Sequence, residues 1–329
     1  MTEMDFVWAF FYIVLFPGFL FISWFAMTCQ YIDRKLSARF QKRKGPPYIQ
    51  PIADFIKLLS KEDVVPKEAS SRMFSAVPII GLAAVLAAFI YIPFYIAGDS
   101  PFSFEADLIV VLYLLTLPTL ALFLAGWQSG SAFGQVGSMR AITQLISYEI
   151  PFFIAMLAPA LVAGTWSMAN ILGFQVADYW LIILTPIAFF VGIISLQGKL
   201  ERLPFDSPEA ETEIVGGTLV EYSGRRLALF KFMMDVEMVV GAALIAVLFL
   251  GGGDIFIDFS GLPWIAEFLI GLIVLLLKII LVVVILTLIK VAVARYRIDQ
   301  MVSICYRFLI PLALLQIVII LALKFLEWV

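Results

Sequence analysis

Histidine is absent from this 329-residue sequence, and cysteine occurs only twice, at Cys29 and Cys305. Neither cysteine has another nearby in the sequence, so the chain alone cannot form a zinc or iron–sulfur site of the Cys/His type. We expect two buried, reduced thiols and no cofactor in this chain. Any redox metal that the function requires then belongs to another subunit.

Charge is also scarce. Charged residues make up 14% of the sequence and hydrophobic residues 63%, whereas an ordinary soluble domain is about 25% charged. A helix needs about 20 apolar residues to cross a bilayer, and lipid offers no partner to an unpaired backbone amide. We therefore predict an all-α polytopic membrane protein, a single integral membrane domain over residues 1–329. About eight transmembrane helices are predicted, at Phe6–Tyr31, Phe74–Ala97, Leu108–Trp127, Ala141–Trp166, Tyr179–Leu196, Leu227–Leu250, Leu262–Lys290 and Met301–Leu323.

The basic residues lie on one side of this topology. Of 22 Lys and Arg, ten fall between Arg34 and Arg72, in the first connection. The positive-inside rule places the odd-numbered connections in the cytoplasm and both termini outside, in the cell membrane. The functional inner loops are expected at about 32–73, 127–140, 197–226 and 291–300. The even-numbered connections contain no Lys or Arg and carry only acids: Asp99, Glu105, Asp178, Asp254 and Asp258.

The first inner loop contains "YIQPIADFIKLLSKEDVVP", which predicts a short helix lying against the membrane. Apolar and charged residues take opposite sides of it at helical spacing. Two interpretations stay open: an interfacial anchor, or the floor of a cavity or docking site for a soluble partner. The preceding "ARFQKRKGPP" supplies a basic surface suited to anionic lipid or to an acidic partner.

Ionisable residues fall well inside the predicted spans, among them Glu149, Asp235, Glu237 and Lys278. Such a residue costs at least about 2.5–3.5 kcal/mol at membrane depth, so it usually faces a partner or water. A structural ion pair, such as Lys278 with one of the acids, is one interpretation. A proton relay is favoured, because several separate groups are present and not one matched pair.

The stretch "RLPFDSPEAETEIVGG" gathers carboxylates in the fifth connection. Asp206 or Ser207 followed by Pro208 predicts a helix start. On that helix Glu209 and Glu213 would share a face, and their repulsion should raise at least one pKa. Such a group can exchange protons under working conditions.

The dipole of a helix start accounts for Glu209 and Glu211 without a functional role. It does not account for Glu213 and Glu221, which lie further along. We therefore predict functional titration in this stretch.

Four longer stretches together resemble one known family: "ARFQKRKGPPYIQPIADFIKLLSKEDVVP", "GWQSGSAFGQVGSMRAITQLISYE", "RLPFDSPEAETEIVGGTLVEYSGRRLALF" and "ARYRIDQMVSICYRFLIPLAL". They are similar to the H-type (subunit 1) membrane subunit of respiratory complex I. Its relatives include the membrane-bound NiFe hydrogenases and the ferredoxin-dependent complexes of archaea. The resemblance runs from about residue 30 to 315.

The resemblance implies a subunit that joins an electron-transfer arm to an ion-pumping membrane arm, and it implies two groups of site residues. The implied proton path, together with the charged residues of the spans, comprises Glu149, Glu209, Glu211, Glu213, Glu221, Asp235, Glu237 and Lys278. The implied arm interface, or quinone-like cavity, comprises Asp33, Arg34, Arg39, Gly45, Pro46, Gln50, Pro51, Asp54, Lys57, Arg202, Asp206, Tyr222 and Arg225.

Departures from the family pattern bear on the branch. "GPPYIQPIAD" is shorter than the corresponding stretch of quinone-reducing members, "KLERLPFD" replaces the usual Ala-Glu-Thr-Asn-Arg-Ala-Pro-Phe-Asp, and Lys231 stands where those members are apolar. These changes favour a ferredoxin-dependent hydrogenase or sulfur-reducing complex. The alternative is the quinone-chamber subunit of an NADH-, ferredoxin- or F420-type quinone oxidoreductase.

The expected partners are other subunits and lipid. They are an iron–sulfur small subunit and a hydrogenase-like large subunit on the cytoplasmic side, with iron–sulfur clusters and a NiFe centre, and antiporter-like membrane subunits. No nucleic-acid partner is expected, and the coupled ion, proton or sodium, stays open. A stand-alone transporter is less favoured, because the sequence shows no internal repeat.

Overall fold

The computed structural model describes residues 12–93, 103–177, 179–255 and 263–326. Throughout these ranges the regular elements are helices, which confirms the all-α prediction. The α-helices are α1 Phe19–Phe40, α2 Gln50–Ser60, α3 Ser71–Tyr91, α4 Asp107–Gln128, α5 Ala132–Ala163, α6 Met168–Ala177, α7 Pro186–Lys199, α8 Glu211–Ile214, α9 Gly224–Leu250, α10 Trp264–Ala292, α11 Ile298–Ile304 and α12 Ile310–Phe325.

Several predicted positions lie outside the described residues. They are the start of the first span at Phe6, the end of the second at Ala97, the start of the seventh at Leu262, the acids Asp99, Asp178 and Asp258, and both chain ends.

Seven helical segments in the described ranges are long and apolar enough to cross a membrane, and they match seven of the eight predicted spans. The last of them, Ile298–Phe325, runs through α11 and α12. The fifth predicted span, Tyr179–Leu196, differs. Its helix, α7, has 14 residues, or about 21 Å, which is shorter than a hydrocarbon core of about 30 Å. Pro186 stands at the start of this helix, a position that proline favours.

The ends of the even-numbered connections meet on one side of the bundle. The backbone N–H of Met168 donates to the Asp107 carboxylate at 2.7 Å. The N–H of Ile182 donates to the carbonyl of Phe249 at 3.0 Å. The second, fourth and sixth connections are therefore neighbours, as the charge pattern predicts.

The four odd-numbered connections meet on the opposite side, which we call the loop face. Side chains of the first, third and seventh connections all reach the fifth. The contacts are Arg226 with Asp63 at 2.7 Å, Arg140 with Glu213, and Arg295 with Asp206 at 2.9 Å.

Helix α9 forms the centre of the bundle, because every residue from Val236 to Leu250 is buried. Small residues let its neighbours approach closely. A Cβ added to Gly241 would lie 2.4 Å from the side chain of Leu196 in α7. Any ionisable group on α9 between these positions is thus enclosed by protein.

The two cysteines, Cys29 and Cys305, are buried and free of disulfides, as predicted. No cluster of three or more His, Cys, Asp or Glu side chains suited to a metal ion occurs within the described part of the chain.

Candidate functional site

The site is organised around the turn that follows α7, residues Lys199 to Arg202, which we call the charged turn. Three of its four residues are charged: Lys199, Glu201 and Arg202. Gln144 of α5 fixes the turn from beneath, since its side-chain amide donates to carbonyl oxygens before and after the turn at 2.6 and 2.7 Å. From this turn, Lys199 pairs with Glu149, Glu201 interacts with Glu237, and Arg202 pairs with Asp33.

Lys199 forms an ion pair with Glu149 of α5. The lysine Nζ lies 3.0 and 2.7 Å from the two carboxylate oxygens, and the side chains are 1% and 13% exposed. A pair this buried keeps its charges only because each partner compensates the other. Lys199, which the sequence reasoning did not select, is thus the partner of Glu149. The ion-pair interpretation had suggested Lys278 instead.

Glu237 of α9 lies beside this pair. The residue is 2% exposed, and its Oε1 atom has no hydrogen-bond partner among the described residues. The charges of Lys199 and Glu149 both act on it, and its own charge acts on Glu201 of the charged turn. Glu237 therefore connects the charged turn to the pair within the bundle.

Glu201 is the third carboxylate of this group, and sequence reasoning did not select it. It is 5% exposed. Burial, then the charges of Glu209 and Glu237, raise its pKa well above the ordinary value. The signal in the sequence was an acid two residues after Lys199, at the edge of an apolar run, but its depth became visible only with the fold.

Arg202 turns the other way, to Asp33 of α1. The Asp33 side chain is 2% exposed and accepts hydrogen bonds from Arg202, from Thr287 at 2.9 Å and from Lys290 at 3.0 Å. Asp33 and Arg202 were expected at the arm interface. The structure places Asp33 inside the bundle, where it joins α1, α10 and the charged turn.

Helix α2 is held to α1 by Asp54. Its carboxylate accepts hydrogen bonds from Arg34 and from Gln50, both at 2.7 Å. Partial burial opposes ionisation, but the two hydrogen bonds together with the charges of Arg34 and Lys57 outweigh it, so the pKa of Asp54 is lowered. The predicted amphipathic helix is confirmed, and three of the predicted interface residues form its attachment.

The loop before α2 packs closely against α1. A Cβ on Gly45 would lie 2.8 Å from the Lys35 side chain, and the Lys35 ammonium donates to the carbonyl of Pro46 at 3.4 Å. Only glycine fits this approach. Of the other residues predicted here, Pro51 is buried and Arg39 and Lys57 are exposed.

A small pocket lies where α1, α2 and α9 meet. Its volume is about 30 Å³, and its lining includes the charged residues Arg34, Asp54, Lys231 and Asp235. That volume holds about one water molecule, whereas ligand pockets typically measure about 300–1,000 Å³. This pocket is therefore too small for a quinone ring, whereas a second pocket lined in part by Arg34, Gly45 and Pro46 measures about 330 Å³.

The acidic stretch is not the helix that the sequence predicts. Helix α8 spans only Glu211–Ile214. Its N-cap residue is Ala210, and no side-chain hydrogen bond caps this described segment. The prediction of a helix start at Asp206 or Ser207 is therefore wrong; the Asp206 carboxylate instead forms an ion pair with Arg295 at 2.9 Å.

The acids of this stretch separate by depth. Glu213 is 44% exposed and pairs with Arg140, whose hydrogen bond lowers the Glu213 pKa. The sequence predicted a raised pKa for at least one of Glu209 and Glu213, and Glu213 does not show that rise. Glu209 and Glu221 are half-buried, and the side chain of Glu211 lies outside the described part of the structure.

Lys278 lies apart from the other predicted path residues. Its ammonium donates to the carbonyls of Leu250, at 2.6 Å, and Asp254, and it sits 4.2 Å from the centre of the Trp180 ring. A cation at this position stabilises the C-terminal end of α9 through the helix dipole. These contacts connect α10 to the C-terminal end of α9.

Two further residues predicted at the interface strengthen the loop face. Tyr222 is 4% exposed and stacks on Phe74 with ring centres 3.9 Å apart. Arg225 binds Asp63 at 3.1 Å while remaining 72% exposed. Arg225 thus remains accessible to a partner, and Tyr222 supports the loop from within.

Comparison with known proteins identifies the family. The family model described as NADH dehydrogenase matches residues 12–321. This chain belongs to that family. The H-type subunit of NADH-quinone oxidoreductase from Dehalococcoides mccartyi (strain CBDB1) is 34% identical over 314 residues, 94% of this chain and 84% of the relative. The H-type subunit from Geobacillus sp. (strain WCH70) is 37% identical over 298 residues, 87% of this chain and 85% of the relative. The H-type subunit from Cytophaga hutchinsonii is 31% identical over 309 residues, 89% of this chain and 90% of the relative.

These relatives make the chain an H-type membrane subunit of the complex I family, and the resemblance seen in the sequence is confirmed at this level. Membership of the hydrogenase-related branch stays a prediction.

Proposed function

We propose that this chain is a non-catalytic core subunit that anchors an electron-transfer arm on the loop face and couples its redox reaction to proton or sodium translocation. One observation carries the proposal. The charged turn brings together acids of the loop face, Glu237 at the centre of the bundle, and the Lys199–Glu149 pair. These groups form a series that leads from the surface into the membrane-spanning helices.

Electrostatics supply the coupling. A unit charge added about 10 Å from a buried group changes its energy by about 1.7 kcal/mol at an effective dielectric constant of about 20. That energy is about one pKa unit, enough to move a proton between carboxylates of similar affinity. Reduction of a cluster docked at the loop face would therefore shift the protonation of Glu209, Glu201 and Glu237 in turn. In this scheme Glu213, which is exposed, lies at the entrance.

We further propose that the complex is a ferredoxin-dependent membrane-bound hydrogenase or sulfur reductase. Its partners on the loop face are then an iron–sulfur small subunit and a hydrogenase-like large subunit, with antiporter-like subunits in the membrane. The small pocket at Lys231 and Asp235 supports this assignment, since its volume of about 30 Å³ leaves a quinone no room at that place. We place the loop face in the cytoplasm and both termini outside the cell membrane.

The second candidate is a quinone oxidoreductase, which the names of the relatives favour. Mass spectrometry of the purified complex decides between the two. Hydrogenase-like subunits without quinone support the first, and bound quinone together with sensitivity to quinone-site inhibitors supports the second.

The coupling role is tested by Glu149→Gln in the intact complex, reconstituted in liposomes. We expect electron transfer to continue while the number of ions moved per electron falls. Glu62→Gln, an exposed acid of the same face, is the matched control and should behave as wild type. An unchanged ratio in Glu149→Gln contradicts the proposal.

A further inference from the structure

Glu201 carries a buried carboxyl group. The residue is 5% exposed, and neither of its side-chain oxygens has a partner within the described part of the chain. An isolated carboxylate cannot stay ionised in such a place, since desolvation strongly favours the protonated form. The group therefore requires an explanation beyond packing.

The backbone at Glu201 adds a second observation. Its φ angle is +50°, in the left-handed region that glycine and asparagine enter with the least strain. A turn selected for stability alone would carry one of those residues. Backbone strain retained at a buried ionisable residue indicates that the side chain itself has a function.

The charged groups around Glu201 indicate the direction in which a proton would pass through it. Its two neighbours in the charged turn are already engaged, Lys199 with Glu149 and Arg202 with Asp33. The charges that act on Glu201 are those of Glu209 and Glu237. Glu209 belongs to the loop-face stretch and Glu237 to the central helix, so Glu201 stands between an outer and an inner acid.

We infer that Glu201 is a proton-holding group that receives a proton from the Glu209 side and passes it to Glu237. This inference rests on the proposed coupling function. In the transfer the O–H bond of Glu201 breaks, an O–H bond forms on Glu237, and a second proton from the loop face reprotonates Glu201. No electron moves through the group. The raised pKa described above agrees with a resting state in which Glu201 carries its proton at neutral pH.

Infrared difference spectroscopy of the intact complex tests the resting state. Reduction of the wild-type complex should produce a change in the carboxylic-acid C=O region that shifts in D₂O. In Glu201→Gln that component should be missing, whereas Glu62→Gln should retain it. A spectrum of Glu201→Gln identical to wild type overturns the inference, because Glu201 would then not change its protonation during turnover.

Substitutions at Glu201 distinguish the loss of the proton-holding group from the relief of backbone strain. Glu201→Asn tolerates the left-handed turn but cannot hold a proton, so we expect a higher melting temperature of the complex with a lower ion-to-electron ratio. Glu201→Gln should lower the ratio similarly. Glu201→Asp, which keeps a carboxyl group, should retain more of the ratio than either amide. Full pumping in Glu201→Asn or Glu201→Gln contradicts the inference.

The failure of this inference is distinguishable from failure of the proposed function. If Glu149→Gln lowers the ion-to-electron ratio and Glu201→Gln does not, the chain couples but Glu201 takes no part. If neither variant lowers the ratio, the coupling function itself is refuted.

Discussion

The pair of Lys199 and Glu149 should behave as one energetic unit. With side chains 1% and 13% exposed, removal of either partner leaves the other charge buried without compensation, which typically costs about 3–5 kcal/mol. We therefore expect Lys199→Met and Glu149→Gln each to destabilise the chain by about that amount. The double variant should lose far less than the sum, because replacing both members of a buried pair is often close to neutral.

Denaturant unfolding of the full chain in mixed micelles, followed by circular dichroism, measures this double-mutant cycle. An interaction energy of several kcal/mol is expected. The more exposed pair of Arg34 and Asp54 serves as a control, because these side chains are 37% and 39% exposed and such pairs contribute about 0–1 kcal/mol. If the two single losses simply add in the double variant, Lys199 and Glu149 do not form the buried pair described here.

Three further predictions concern stability. Gly198→Ala places a Cβ 2.5 Å from the Tyr148 ring, and the forced displacement should cost about 1–3 kcal/mol, seen as a lower melting temperature. Arg226→Gln should destabilise the chain more than Arg225→Gln, because these side chains are 17% and 72% exposed; equal melting temperatures would contradict the burial. The folded pKa of Asp54 is lowered. The stabilisation of α2 by the Asp54 carboxylate is therefore complete above the unfolded pKa of about 3.9, and it is lost as pH falls through the lower folded pKa. Limited proteolysis of residues 42–49 should therefore stay slow at pH 6 and accelerate only below about pH 4, and acceleration already at pH 6 would refute the assignment.

The long helices were predictable because span length and hydrophobicity act locally. Each run of about 20 apolar residues must form a helix in lipid, whatever surrounds it. The amphipathic helix Gln50–Ser60 was equally visible in its periodicity and in Pro51. The distribution of Lys and Arg also predicted which connections lie together, because it reflects a property of the whole segment.

The contacts within the site were not predictable from the sequence. Asp206 binds Arg295, about 90 residues away in the chain, and the local sequence around Asp206 does not indicate that contact. Likewise, the sequence shows Lys199 only as one of several basic residues in the inner loops. Its ion pair with Glu149 of α5 is visible only in the folded structure. Glu201 looks like a loop acid until the fold encloses it.

The central claim is that buried acids beneath the loop face transmit a redox event into ion movement, and Glu237 is the residue on which this depends most. The most direct test is the number of ions moved per electron by the intact complex in liposomes, with Glu237→Gln compared to wild type. We predict that electron transfer continues and the ratio falls. A ratio equal to that of wild type would contradict the account and leave this chain with an anchoring role alone.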